Sequence, residues 1–181
     1  MRVTSGELRG RRIHTVHGLH VRPTSDKVKQ AIFNIIQFDI EGKRALDLFA
    51  GTGQLGIEAI SRGARSCTFV ERGREVVKIL KKNVEEMGIK NAQILEQDCF
   101  IFLKSKGREQ FDIVLADPPY SKDNIDLTLQ GLVDGGFLAN GAIVVVESDK
   151  GEDSIDEYRG LALVKEYRHG RTVIKLYRYN V

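Results

Sequence analysis

Nowhere in this 181-residue chain do apolar residues run together for the roughly 18 positions that a membrane-spanning helix needs. Its first 20 residues are basic and polar, without the apolar stretch of an export signal, so a cytoplasmic protein with no membrane partner is expected. Cysteine is scarce. Cys67 and Cys99 each fall inside or beside a predicted strand, which fits buried thiols in a reducing compartment and points to no metal site. Repeats, low-complexity tracts and linkers are missing as well. Proline occurs three times, and two of the three are adjacent.

What is present is the composition of a globular protein, 41% hydrophobic and 29% charged, at 20.3 kDa. A chain of that size buries about 70% of its unfolded surface without staples and reads as one domain, residues 1–181. Within it, residues 1–40 form a basic N-terminal extension with a capping helix and residues 41–181 the core. The net charge of +3 conceals an asymmetry: residues 1–30 carry +5, residues 165–181 carry +4, and the stretch between carries −6. Basic ends around an acidic middle suggest a polyanion partner gripped by the termini; a solvated charge distribution without consequence is the alternative.

Residues 1–22 combine Gly6, Gly10 and Gly18 with short polar-apolar alternation and predict a small hairpin. Thr24 or Ser25 then caps a helix whose apolar stripe is Val28, Ala31, Ile32, Ile35 and Ile36. From Lys43 the pattern alternates. Strands are predicted over 44–49, 66–71, 93–96, 111–116 and 142–147, with helices over 53–62, 75–87, 100–104 and 125–133 between them. That spacing predicts an α/β fold with a doubly wound, mostly parallel sheet. Strands over 161–167 and 172–179 follow, joined by His169-Gly170-Arg171, which permits only an antiparallel hairpin. Seven strands are expected in all.

The adjacent prolines lie in Asp117-Pro118-Pro119-Tyr120, directly after the apolar run Phe111 to Ala116. A tetrapeptide at a strand's carboxyl end stands where open α/β sheets place their chemistry. Two prolines hold φ near one value and donate no hydrogen bond, so the chain leaves the sheet stiff, with carbonyls free to accept. A carboxylate, backbone carbonyls and an aromatic face in one turn suit the capture of a flat, amino-bearing ring. A plain strand-ending turn is the bland alternative.

Upstream, Leu46-Asp47-Leu48-Phe49-Ala50-Gly51-Thr52-Gly53-Gln54-Leu55-Gly56 sets glycines at G-x-G-x-x-G spacing between the first core strand and the next helix. By itself this is compatible with a dinucleotide site or a structural turn. Two acids sharpen it: Glu71 ends the second strand, where it can accept from both ribose hydroxyls, and Asp98 follows the third, within reach of an adenine amino group. Asp47 fits a pyrophosphate poorly. Placed before Ala50, Gly51 and Gly53, its carboxylate repels phosphates and welcomes the ammonium of an amino-acid moiety, which favours S-adenosylmethionine over a nicotinamide cofactor. Alternatively Asp47 caps the loop by bonding its amides.

With Asp-x-x-x-Gly-x-Gly, an acid ending strand two, an acid after strand three and Asp-Pro-Pro-Tyr ending strand four, the chain resembles the class I adenosylmethionine-dependent amino-methyltransferases. More closely, Arg22-Pro23-Thr24-Ser25-Asp26, Leu46 to Gly56 and Asp117 to Tyr120 resemble the RsmD family, as do Leu8-Arg9-Gly10-Arg11 and Val144-Val145-Val146-Glu147. Thr52 and Gln54 depart from that family's pattern, where Ser and a small residue are usual. The resemblance implies a Rossmann-like fold, S-adenosyl-L-methionine as cofactor, and methylation of the N2 amine of a guanine in bacterial 16S ribosomal RNA, free or within a small-subunit particle. Asp47, Ala50, Gly51, Gly53, Glu71, Asp98 and Asp117 are then the cofactor-binding candidates, and Asp117, Pro118 and Tyr120 the catalytic ones. Arg9, Arg11, Arg22, Thr24, Pro119 and Tyr120 are the candidates for holding substrate. His14, His17 and His20 stand at three-residue spacing, but Gly18 argues against a helix there and a fourth ligand is not evident, so no metal is expected.

Rival readings share parts of this pattern. A nicotinamide oxidoreductase has the glycine loop but no use for Asp-Pro-Pro-Tyr. An adenine-N6 or cytosine-N4 methyltransferase, on DNA or another RNA, uses the same tetrapeptide, although such enzymes commonly need extra target-recognition segments. A non-catalytic RNA-binding assembly factor, binding adenosylmethionine without transferring its methyl to any RNA, is a third reading.

Overall fold

The computed structural model describes residues 1–16, 25–107, 109–119 and 122–181. A single mixed sheet runs through them. Its strands, in chain order, are β1 (Arg44–Leu48), β2 (Ser66–Glu71), β3 (Ala92–Glu96), β4 (Phe111–Ala116), β5 (Leu138–Asp149), β6 (Glu157–Tyr158), β7 (Leu161–His169) and β8 (Thr172–Tyr179). The spatial order is β3-β2-β1-β4-β5-β8-β7-β6, parallel from β3 to β5 and antiparallel from there. The sheet thus has eight strands where seven are predicted. The addition is β6, which pairs only Glu157 with Ala162 and Tyr158 with Leu161, too short to leave a periodic signal. β5 also runs further than predicted at both ends. Its amino end pairs with Phe111 and its carboxyl end with Thr172, so neighbours on both sides extend it.

Helices cover both faces. α1 (Asp26–Ile35), α2 (Gln54–Ser61) and α3 (Arg74–Glu86) contribute to one hydrophobic cluster; α4 (Cys99–Lys104) and α5 (Lys122–Asp134) contribute to the other. Alternation along the central strands feeds both: Ile113 and Leu115 of β4 join the first cluster, Val114 and Ala116 the second. Cys67 and Cys99 are buried free thiols, their pKa values pushed up by burial, as suits structural packing.

Residues 1–13 form a hairpin, within the span predicted for one, whose residues 17–22 lie outside those described. The amides of Val3, Gly10 and Ile13 donate to the carbonyls of Arg11, Val3 and Met1 respectively, and Arg2 bridges Arg12. Val3 and Ile13 are buried in the same cluster as Ile32 and Phe33 of α1 and Ile57 of α2. Glu58 of α2 fastens the hairpin by accepting from the Thr4 amide, the Thr4 hydroxyl and the Ser5 amide at 2.9, 2.6 and 3.0 Å. The same carboxylate faces Lys29 of α1 at 3.6 Å and accepts from Arg62 at 2.9 Å, while Lys29 donates to the Arg2 carbonyl. Ser25 supplies the predicted cap of α1, accepting from the Val28 amide.

Candidate active site

Register fixes what stands at the carboxyl edge of the parallel sheet. Leu48 of β1 is opposite Val70 of β2 and Ala116 of β4, Glu71 is opposite Glu96, and Ala116 is opposite Val146. One residue further along, Phe49 and Asp117 therefore leave neighbouring strands at the same level, flanked by Glu71 and Glu147. The chain goes outward from β1 to β2 and β3, then returns to β4 on the other side of β1. That reversal opens a crevice between β1 and β4, the place where doubly wound sheets bind ligands.

The glycine loop lies over β1, and its three glycines differ. Gly51 has φ +55, and a Cβ built on it meets nothing within 4 Å, so its backbone faces open space. Gly53, the residue before α2, has φ +90 and would press a Cβ to 2.4 Å from the Leu80 side chain. Gly56 would meet the Phe69 ring at 2.3 Å and the Cys67 sulfur at 2.7 Å. The second and third glycines thus let α2 pack close, and the first leaves room for a ligand. Ala50, just before the first glycine, is buried; its amide donates to the Val70 carbonyl and its carbonyl accepts from the Gly53 amide.

Each predicted acid is tied to backbone amides. Asp47 is buried, and its Oδ2 accepts from Gly56 at 2.8 Å, the loop-capping arrangement. Burial pushes its pKa up to about 7, opposed by the Gly56 bond and assisted by nearby Glu71. Glu71 accepts from the Gly51 amide at 3.0 Å through one oxygen and from the Gly73 amide at 2.7 Å through the other. Asp98 caps α4, its Oδ1 accepting from Phe100 and Ile101, and its Oδ2 lies 3.4 Å from Arg72. Each carboxylate keeps at least one lone pair beyond these bonds, so they orient the acids and leave them able to accept from a ligand.

The turn after β4 is half-buried at Asp117, buried at Pro118 and exposed at Pro119. Asn124 of α5 donates to the Pro119 carbonyl at 2.8 Å and so fixes the turn. Beside it, Phe49 takes a left-handed φ of 59, a conformation costing about 1–2 kcal/mol outside glycine. Its amide donates to the Cys99 sulfur and its ring meets Phe100 edge to face, 5.6 Å between centroids. Strain held in place this way is common at ligand sites.

Tyr120, Arg22, Thr24, His17 and His20 lie outside the described residues. Arg9 and Arg11 are exposed on the hairpin, and Arg11 donates to the Glu86 carbonyl at the end of α3. His14 pairs with Glu86 at 2.7 Å. Among the described residues no group of His, Cys, Asp and Glu could hold a metal ion, and no helix is long and apolar enough to cross a membrane. Asn124 and Asn83 were not legible as site residues. The only trace of Asn83 in the sequence is its place on the apolar stripe of α3, with Val76 and Leu80. Gln54 is a third case: it begins α2, is buried, and its Oε1 has no hydrogen-bond partner.

The model of the family described as Conserved hypothetical protein 95 matches residues 1–178. A relative named ribosomal RNA small subunit methyltransferase D, from Escherichia coli K12, is 36% identical over 149 residues, which cover 82% of this chain and 75% of that protein. Another of the same name, from Haemophilus influenzae, is 33% identical over 180 residues, 98% of this chain and 93% of that one. The solved structure of Escherichia coli yhhF superposes with a TM-score of 0.91 at 31% identity, covering 100% of this chain and 98% of that one.

Proposed function

The chain belongs to the family described as Conserved hypothetical protein 95, and we propose that it is an S-adenosylmethionine-dependent methyltransferase of ribosomal RNA. The names of its relatives, ribosomal RNA small subunit methyltransferase D, support small-subunit ribosomal RNA as substrate; we take it to be 16S RNA, free or within a small-subunit particle, methylated in the cytoplasm. Within that class we take the target to be the exocyclic N2 amine of a guanine. The observation that carries the proposal is the register that brings Asp117 and the start of the glycine loop off adjacent strands at the same level, at the β1–β4 reversal.

The residues present fit the cofactor. Gly51 leaves open space beside the loop, α2 offers its amino end, Gln54 holds an unpaired buried oxygen, and Asp47, Glu71 and Asp98 stand at or near the carboxyl ends of β1, β2 and β3. Asp47 would face an ammonium, Glu71 ribose hydroxyls and Asp98 an amino group on a purine, each an acceptor matched to a donor. When bound, S-adenosylmethionine supplies a methyl group already activated on a sulfonium.

An exocyclic amine is a poor nucleophile, because its lone pair is delocalised into the ring. Asp117 and the Pro118 carbonyl accept its two hydrogens, which favours a pyramidal nitrogen and aims the lone pair outward from the ring. Asp117 also stabilises the positive charge that develops on nitrogen and takes the surplus proton. Asn124 keeps the turn in place while this happens. Tyr120 stacks on the base, which has to be unpaired or flipped out to present its N2. Alignment and electrostatics supply most of the rate.

The test is methyl transfer from labelled S-adenosylmethionine to small-subunit particles and to naked 16S RNA, both from a strain lacking the enzyme, with the methyl mapped afterwards. Label on guanine N2 of 16S RNA is expected. Label on adenine or on DNA would overturn the substrate assignment, and cofactor binding without transfer to any RNA would support a non-catalytic factor.

A further inference from the structure

Asn83 is a polar side chain on the core-facing side of α3, fully buried, and it bonds to two segments that the proposed function assigns to different ligands. Its Nδ2 donates to the Thr52 carbonyl, inside the glycine loop, at 2.9 Å, and to the His14 carbonyl at 3.0 Å. Its Oδ1 accepts from the His14 amide at 2.8 Å. Both of the amide's donors and one of its two acceptor lone pairs are thus spent on linking residue 52 to residue 14. His14 directly follows Ile13, the last residue bonded across the hairpin that carries Arg9 and Arg11.

The hairpin is held at its two ends by different means. Glu58 fixes Thr4 and Ser5 to α2, through a carboxylate that bonds nothing in the glycine loop. At the other end the His14–Glu86 and Arg11–Glu86 contacts are exposed and contribute little. Asn83 alone of these anchors touches the cofactor loop. An apolar residue would fill the same volume, and burial of a bare amide costs free energy, so the role specific to asparagine is to join the two backbones.

We propose that Asn83 is a positioning residue that couples the cofactor loop to the RNA-gripping N-terminal segment, so that occupancy of one site raises affinity at the other. The inference rests on the methyltransferase reading. A ligand that settles Thr52 settles His14 through one rigid side chain, and linkage makes the effect reciprocal.

The experiment measures the affinity of the full chain for S-adenosylhomocysteine, with and without saturating small-subunit particles from a strain lacking the enzyme. Wild-type protein should bind it about tenfold more tightly when particles are present, within the usual range of such couplings. In Asn83→Leu the ratio should fall to about one, with the KM for particles raised several-fold and kcat at saturation changed less. Asn83→Asp keeps the acceptor for His14 and removes both donations; it should lose the coupling as well, and it serves if the leucine variant does not fold. Leu132→Ala, which opens a cavity on the opposite face of the sheet, controls for lost stability and should keep the wild-type ratio. Coupling retained in a folded Asn83 variant, or absent from active wild-type protein, overturns the inference and leaves the methyltransferase reading intact. Failure of the wild-type protein to methylate any RNA overturns both.

Discussion

The carboxylate of Asp47 accepts the amide hydrogen of Gly56 at 2.8 Å, joining the last turn of chain in β1 to the first turn of α2 beneath the glycine loop. Two consequences depend on pH. With burial lifting its pKa to about 7, Asp47 holds a proton in the folded chain that the unfolded chain, near pKa 4, has released. Its contribution to stability is therefore complete below about pH 4 and is lost as pH rises through about 7. Urea unfolding should show wild-type stability declining across that window relative to Asp47→Asn, by on the order of a few kcal/mol. A cofactor ammonium acts the opposite way, because it favours the ionised form. Affinity for S-adenosylmethionine should rise between about pH 5.5 and 7, by up to about tenfold per unit, and calorimetry should detect proton release.

Glu71 has a different task, since both its oxygens already accept from loop amides. In Glu71→Gln one of those amides confronts an NH2 group, and the proposed ribose contact loses its charge. Affinity for S-adenosylhomocysteine should drop by roughly 1 to 3 kcal/mol, with kcat at saturating cofactor within a few fold of wild type. Unchanged affinity by calorimetry would refute the ribose assignment.

Asp117→Ala should lower the methylation rate by on the order of 10² or more and leave cofactor affinity within a few fold. Asn124→Ala releases the Pro119 carbonyl without touching an acceptor of the amine. A smaller loss of kcat, about 3- to 30-fold, is expected there, because a misplaced turn costs alignment. Equal losses for the two variants would mean that Asn124 does more than hold the turn.

Glu58 is buried against Lys29 and Arg62 and accepts three bonds from the hairpin. Glu58→Ala leaves the buried Lys29 ammonium with only the half-exposed Asp26 as a carboxylate partner and takes the acceptor from three hairpin donors, and unfolding in urea should reveal a loss of about 3–5 kcal/mol. Amide exchange at Val3, Gly10 and Ile13 should accelerate more than exchange in β4. Exchange that rises uniformly would show that the hairpin and the sheet open as one unit.

Sequence by itself determined the alternation of strands and helices, the terminal hairpin, the glycine loop, the acids at successive strand ends and the stiff turn after β4. Each of these is set by local physics: the period of apolar residues, the fixed φ of proline, the freedom of glycine, the hydroxyl of Ser25. Tertiary structure decided what those elements do to one another. Asn83 meets Thr52 and His14 from 31 and 69 positions away, Glu58 meets Thr4 from 54, and β6 exists only because β7 offers it an edge. No window along the chain contains such pairs. Whether Asp47 is a bare anion or a proton-holding cap was likewise undecided until α2 closed over it, because the cost of charge depends on the water left around it.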